Sequence, residues 1–566
     1  MKRITFLLTL LLLFACTPEK VPAGGSGDGQ GTQTGEPQPT PAGNLTGTVT
    51  DSKTGAPIAG VSVSDGYSWA VTDDEGVYFL QGTSQSRTVY LSVPSEYEIP
   101  VDENHQPAFY VNGDFSDADK TYKNDFQLTP RSVSSDRFIL AGIADVHIYE
   151  ERDLQIFKEE TLPDVKGALE SLSSNGDYKE CIAVFAGDQM SDNMQMVESF
   201  KQSLAGHNVA GRRLLFLHCI GNHDFANSDL KDIEPTSYNA SKTYVRNFGP
   251  MDYSFNIGKV HFIVMNNIVV NSKDNWTRDH QIQCVGYSAG FTDAQMEWLE
   301  ADLALVKNPQ EKAVVLVSHI PLKNGKSTNY QAVTQLLAGF NEAHVISGHT
   351  HRLDNFIHDR VCKGGKKLYE HNLQMASGMW WKSRLSTDGS PTGYGLFRFS
   401  GSRMFDSYNK GTGLDIGCQL RVYSGNDVYN GKTQGGGVSA PKHNQDRAWA
   451  DDLKGKFIAR VWDADTDNWE VEFVKDGVST PMTRVASMSD ECTYSFSHNI
   501  LDTPFGSEST YQPKSANFWT IDAPSGDPAK ETGWKVVAKR KFSAAWVKTY
   551  EADELQRDYT GFALDR

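Results

Sequence analysis

Basic residues are scarce. Lys and Arg together number 54 against 71 Asp and Glu, a formal net charge of -17 over 566 residues. Such a chain offers no basic face for a nucleic-acid polymer, and no such partner is expected. Phosphate esters stay open as substrates, because a bound cation reverses the charge locally. Cysteine is scarce too: of seven, no two stand at C-x-x-C spacing, which excludes a zinc finger or ribbon. One long apolar run exists, Phe6–Ala15, broken by Thr9 and preceded by Lys2 and Arg3. It is too short to span a membrane comfortably and reads as a leader. No internal repeat is visible, which excludes a solenoid.

What is present is enough apolar residue for real cores, 39% of the chain, and length for roughly three to four domains. The leader ends in Leu13-Phe14-Ala15-Cys16, which resembles a bacterial lipobox, with Phe14 bulkier than usual. Residues 1–16 are therefore expected to be a lipoprotein signal, with Cys16 lipidated. The expected location is the cell envelope, with contact to the membrane through the lipid anchor only. Residues 17–43, rich in Gly, Pro, Thr and Gln, cannot bury a core and read as a tether.

Residues 44–130 alternate apolar and polar positions between Gly and Asp turns, the pattern of a small β-sandwich. Residues 131–403 alternate strands with helical patterns, the mark of an α/β fold. A helix is expected over Leu154–Leu172 with a kink or break at Pro163, another over Asn193–Leu204, and a capping box at Thr292–Gln295. Tyr253–Phe255 and Val260–Val264 read as a hairpin about Gly258. Residues 404–566 return to β patterning. Phe457–Val461 and Trp469–Phe473 flank an Asp-rich stretch, Asp463 to Asn468, that reads as an acidic hairpin loop; Val474 stands where a calcium loop needs Glu. Trp462, Trp469, Trp519, Trp534 and Trp546 are expected to pack rather than to form a sugar platform. Cys181 and Cys219 are expected as buried thiols, and a Cys284–Cys362 disulfide is conceivable.

Five short blocks punctuate the middle region: Asp145-Val146-His147, Gly187-Asp188, Gly221-Asn222-His223-Asp224, Ser318-His319 and Gly348-His349-Thr350-His351. Each stands at or just after a short apolar run that reads as a buried strand. Oxygen and imidazole ligands gathered at strand ends suit a hard or borderline cation. In an extended segment Asp145 and His147 would share one face. Gly187 permits the tight turn that lets Asp188 lie between two cations, and Asn222 adds a neutral carbonyl oxygen. With His319, His349 and His351 this makes seven ligand residues, one shared, the number for two divalent metal ions with room for water or substrate.

The five blocks resemble the calcineurin-like metallophosphoesterase superfamily, whose motifs run D-x-H, G-D, G-N-H-[DE], H and G-H-x-H. The flanking β-regions resemble, less specifically, a bacterial lipoprotein subgroup, the first region a carboxypeptidase-regulatory-like (transthyretin-like) sandwich. The resemblance implies a central β-sandwich flanked by helices, four layers αββα, with all-β sandwich-like domains at both ends. It implies one metal on Asp145, His147, Asp188 and His351, and a second on Asp188, Asn222, His319 and His349. It implies that His223 protonates the leaving oxygen, that Asp224 orients its ring, and that hydroxide bridging the metals attacks phosphorus in line.

Purple acid phosphatases carry Tyr where this chain has Ser191, so manganese, zinc or iron(II) is expected rather than a fixed iron(III). The substrate is expected to be a small phosphate ester, a diester slightly favoured over a nucleotide or sugar-phosphate monoester. Trp380, Trp381, Tyr287, His371 and Asn267, with Asn222, are candidate pocket residues. His218, His261 and His344 belong to no block and are expected to pack. A binding protein on a degenerate scaffold is the non-enzyme reading; retention of every motif residue counts against it.

Overall fold

The computed structural model describes residues 44–103, 106–277, 283–325, 327–428, 451–465, 467–485, 487–490, 493, 514–543, 546–557 and 560–564. Cys16, the tether before Asn44 and Cys492 lie outside the described residues.

Two sheets form the centre. In chain order their strands are β1 (Arg137–Ile143), β2 (Glu180–Ala186), β3 (Leu215–Cys219), β4 (Tyr253–Ile257), β5 (Val260–Val264), β6 (Ala313–Val317), β7 (Glu342–Ser347), β8 (Phe356–Val361), β9 (Lys367–Asn372), β10 (Gly393–Ser400) and β11 (Arg403–Gly411). The first sheet has the order β3-β2-β1-β10-β11 and the second β4-β5-β6-β7-β9-β8. In both, the middle strands pair in parallel, β1 with β2 and β2 with β3, β5 with β6 and β6 with β7. Parallel strands buried on both faces explain why these segments are continuous apolar runs rather than alternating ones. β11 extends the first sheet beyond residue 403.

The inner faces meet through Phe138, whose ring lies 5.8 Å from Phe262 and 4.6 Å from Phe399. The outer face of the first sheet, Ile139, Ala141, Ala183 and Phe185, packs on Leu154, Phe157, Val165, Leu169 and Phe200 of the helical layer. The second sheet is covered by α-helices at Asp293–Leu305 and Tyr330–Leu337, through Trp298, Leu299, Val333 and Leu337. The result is four layers, αββα.

The helix expected over Leu154–Leu172 starts earlier, at Glu151, and runs to Ser173. The turn Phe157–Thr161 before Pro163 is a π-helix, so the helix widens ahead of the proline instead of breaking. At Asn193–Leu204 a 3-10 turn, Met194–Met196, leads into the α-helix Val197–Ser203. The capping box forms at Thr292 and Gln295, and β4 pairs antiparallel with β5 about Gly258.

The N-terminal region is a sandwich. One sheet has Leu45–Asp51 between Val77–Leu80 and Phe126–Pro130; the other has Ser62–Ser64 and Thr88–Ser92 at its centre. It docks on the second core sheet, where the Ser92 hydroxyl lies 2.8 Å from that of Ser254, and on its covering helix, where Trp69 donates its indole N–H to the Trp298 carbonyl.

The C-terminal region is a pair of four-stranded sheets, with Trp462, Trp469, Trp519 and Trp534 all buried. The acidic hairpin expected at Asp463–Asn468 is not one. Lys456–Val461 pairs with Leu420–Ser424 and Phe518–Asp522, whereas Trp469–Lys475 belongs to the other sheet. The stretch is a crossover. Asp463 is buried in it, ion-paired to Arg540 at 2.5 Å and hydrogen-bonded by Asn355 and Asn409 from the core. A buried carboxylate survives there because each oxygen has a charged or amide donor. Cys181, Cys219 and Cys362 are buried free thiols, so the Cys284–Cys362 pairing is not formed.

Candidate metal centre

All five blocks converge beyond the carboxyl ends of β1, β2, β3, β6 and β7. The convergence is not the pleat expected of an extended Asp145–His147. β1 ends at Ile143, and Asp145 and His147 have left-handed backbone, φ 55° and 52°. Asp188, His349 and His351 share it, at 52°, 69° and 55°. Left-handed backbone at a residue with a side chain costs of order 1–3 kcal/mol and persists where the surroundings over-determine it. Here five residues in three loops are held left-handed so that their side chains point back into one pocket. Two glycines make the approach possible: a Cβ on Gly187 would enter the His319 ring, and one on Gly221 would meet the backbone and carboxylate of Asp188.

The donor atoms fall into two groups sharing Asp188: Asp145, His147, Asp188 and His351, and Asp188, His319 and His349. In the first, the Nε2 atoms of His147 and His351 face each other at 3.0 Å, with Asp145 Oδ1 at 3.4 Å from His351. In the second, His319 Nε2 lies 3.1 Å from Asp188 Oδ2 and 3.2 Å from His349 Nδ1. Asn222 Oδ1 closes this group, 3.1 Å from His319 and 2.9 Å from His349. Asp188 Oδ2 is also 3.7 Å from His147 Nε2, so one oxygen serves both groups, while Oδ1 accepts the His223 backbone N–H.

This donor set fits a pair of divalent cations. Imidazole nitrogens aimed at each other, with carboxylate and amide oxygens beside them, are lone pairs pointed at common centres. The supports fit as well: His319 Nδ1–H donates to the Ala186 carbonyl at 2.8 Å, leaving Nε2 as the ligand atom. The His349 backbone N–H holds both oxygens of Asp145 at 3.0 Å. Burial disfavours charge on Asp188, yet His319 and His223 outweigh it and hold the carboxyl well below the usual range. On His319, burial also disfavours charge and so acts downward, but Asp188 reverses it and lifts the ring to about 9.

His223 sits over the first group, its ring 5.1 Å from that of His147. Its Nδ1 meets Asp192 Oδ2 at 2.8 Å. The expectation that Asp224 orients this ring is thus corrected. Asp224 accepts from Gln189 Nε2, Met190 N and Gly221 N, and so ties the second and third blocks together. Burial and the nearby Asp188 push its pKa up to about 7. Asp192 was missed by motif reading; the available signal was a second acid four residues after Asp188, and its own φ is left-handed at 61°.

Of the candidate pocket residues, Asn222 is in the second group and two others stand at the site. The Trp380 ring is 5.0 Å from His351 and 6.1 Å from His147, and Tyr287 is 6.3 Å from His349. Trp381 is buried and donates its indole N–H to the Val146 carbonyl, while Ser377 donates to that of Asp145, pinning this loop to the first block. Asn267 grips the backbone of Ile320, next to His319. His371 is buried among His344, Tyr369 and Phe397, apart from both donor groups. His218, His261 and His344 are packed: His218 stacks on Phe185, His261 pairs with Asp302 and His344 with Glu342.

Three family models match consecutive stretches: "N terminal of Calcineurin-like phosphoesterase" over 43–131, "Calcineurin-like phosphoesterase" over 139–353 and "C terminal of Calcineurin-like phosphoesterase" over 370–545. The chain belongs to the calcineurin-like phosphoesterase family, in a form with N- and C-terminal extension domains. No curated protein matches it.

Among solved structures, it is similar to a 5'-nucleotidase from Candida albicans, at 11% identity and TM-score 0.27, with 47% of each chain covered. It is also similar to purple acid phosphatase PPD1 from yellow lupin, at 12% identity and TM-score 0.29, over 62% of this chain and 69% of that one. A third is the NAD nucleotidase of Haemophilus influenzae, at 12% identity and TM-score 0.26, with 49% of each covered. The alignment spans about half the length of the first of these.

Proposed function

We propose that the chain is a two-metal hydrolase of small phosphate esters, with diesters favoured, held at the cell envelope by a lipid on Cys16. The observation that carries the reading is the pair of donor groups sharing Asp188 Oδ2, with the His223–Asp192 pair beside them. Asp145, His147, Asp188 and His351 would hold one divalent ion, and Asp188, Asn222, His319 and His349 the other. When bound, such a pair neutralises phosphoryl charge and lowers the pKa of water.

The protein's own groups do the rest. With Nδ1–H directed at Asp192, the exchangeable proton of His223 is on Nε2, where it is given to the leaving oxygen. Asp192 stabilises the charged ring before that transfer. Trp380 stands beside the first donor group and Tyr287 beside the second, where they orient the ester substituent. No helix among the described residues is long and apolar enough to cross a membrane, and the lipid supplies the attachment.

The test is hydrolysis of a panel of mono- and diesters by protein reconstituted with manganese, zinc or iron(II), alongside metal analysis. Turnover of bis-aryl phosphate with about two metals per chain supports the reading. No turnover of any ester at full metal loading overturns it.

A further inference from the structure

A cavity of ≈ 440 Å³ lies between the N-terminal sandwich and the segments beside the second core sheet that carry Tyr238, Asp252 and Asn266, lined by Tyr67, Arg87, Tyr90, Tyr238 and Asp252 among others. None of its lining residues is one of the seven that gather at the metal centre. Its size is that of a small-molecule site, and such sites combine an apolar body with a few placed polar groups.

Three polar groups there are under-used. The Tyr90 side chain is fully buried, and its hydroxyl has no hydrogen-bond partner. The neighbouring Ser64 hydroxyl is already committed, donating to the Ser68 carbonyl and accepting from Gly66 N and Trp298 Nε1. A buried hydroxyl without a partner carries an uncompensated desolvation cost, which a ligand atom would recover. Arg87 donates to the Tyr238 carbonyl and the Ser241 hydroxyl, at 2.6 Å each, and ion-pairs with no carboxylate among the described residues. Its guanidinium lies 4.5 Å from the centre of the Tyr238 ring. Asp252 accepts from Asn266 N and Gln295 Nε2 through Oδ1, and Oδ2 is left over. Burial pushes its carboxyl up to about 6, the mark of an acid without a cation beside it.

The charges are therefore unspent at two places: a guanidinium stacked on an aromatic ring at one, a carboxylate at the other, with Tyr67 and Tyr90 supplying ring faces and a hydroxyl. We infer that this cavity is a second ligand site, taking a small aromatic molecule that carries an acidic group for Arg87 and a basic group for Asp252. The site does not depend on the phosphoesterase reading, and its ligand has no need of phosphorus or metal.

Calorimetric titration of the full chain tests this with three probes: 4-(2-aminoethyl)benzoate, with an acid and a base at opposite ends of one ring; benzoate, with the acid alone; and phenethylamine, with the base alone. The two-group probe should bind at least about tenfold more tightly than either half. Arg87→Gln should weaken the two-group probe and benzoate by about tenfold or more and spare phenethylamine; Asp252→Asn should weaken the two-group probe and phenethylamine and spare benzoate. Tyr90→Phe, which removes only the orphan hydroxyl, should weaken all three while leaving the melting temperature unchanged or raised. Metal content should stay the same in each variant. Failure of all three probes to bind in the millimolar range overturns the proposal. So does binding that neither charge substitution alters, or benzoate binding as tightly as the two-group probe.

Discussion

The His223 ring nitrogen Nδ1 lies 2.8 Å from the carboxylate of Asp192, a residue outside all five motif blocks. Both side chains are buried, 7% and 4% exposed, so the pair is shielded from competing water. That shielding strengthens the hydrogen bond and fixes which nitrogen faces the metal centre.

Asp192→Asn should lower kcat by roughly 10²–10³-fold on esters with poor leaving groups, because the charged ring loses its counter-ion. His223→Ala should do the same, and activated aryl esters should suffer less from both. Metal content should be unchanged, since neither residue is in a donor group. Equal losses on good and poor leaving groups would rule out a proton-donating His223.

Asp188→Asn removes the one oxygen common to both donor groups. Metal analysis should show a fall to about one ion or fewer per chain, with secondary structure by circular dichroism retained. Two ions at full occupancy would mean that the centre is held without a shared carboxylate.

Gly221→Ala should act at the same place from the backbone. Its Cβ would press on Asp188, and overpacking of this kind costs about 1–3 kcal/mol. The expected result is a lower melting temperature together with weakened metal binding. A variant as stable and as well loaded as the parent would show that the turn has slack that the close approach hides.

Glu342, at the start of β7, tests the fold away from the site. Burial acts to raise its pKa, but His344, Lys366 and the hydrogen bonds they make hold it at about 2, against 4.5 when free. A carboxyl depressed in the folded state contributes stability that is present above its unfolded pKa and lost as pH falls through its folded one. Glu342→Gln should therefore cost about 2–3 kcal/mol at neutral pH, measured by urea unfolding. The gap to the parent should narrow steadily from pH 4.5 downward. A gap that is independent of pH would assign the effect to packing rather than charge.

The alternation of strands and helices and the donor residues were legible in the sequence because both depend on local pattern; the four-layer arrangement followed only from the family resemblance. Buried parallel strands are apolar runs, and ligands at their ends are short blocks of Asp, Asn and His. Tertiary structure decided what local pattern does not encode. The left-handed backbone at Asp145 and His147 is held by Gly187 and Asp188, whose carbonyls accept their N–H groups, and by His349, whose N–H donates to Asp145, all distant in sequence, so an extended reading of that block was natural and mistaken. Asp192 rather than Asp224 took the His223 ring because Asp224 was claimed by three donors from adjoining loops. The Asp463–Asn468 stretch became a crossover between sheets because its flanking strands found better partners elsewhere than in each other. Residue type and spacing determined which atoms this protein offers to a cation. Long-range packing, whose energy depends on contacts no window of sequence contains, decided how those atoms are aimed and which neighbours support them.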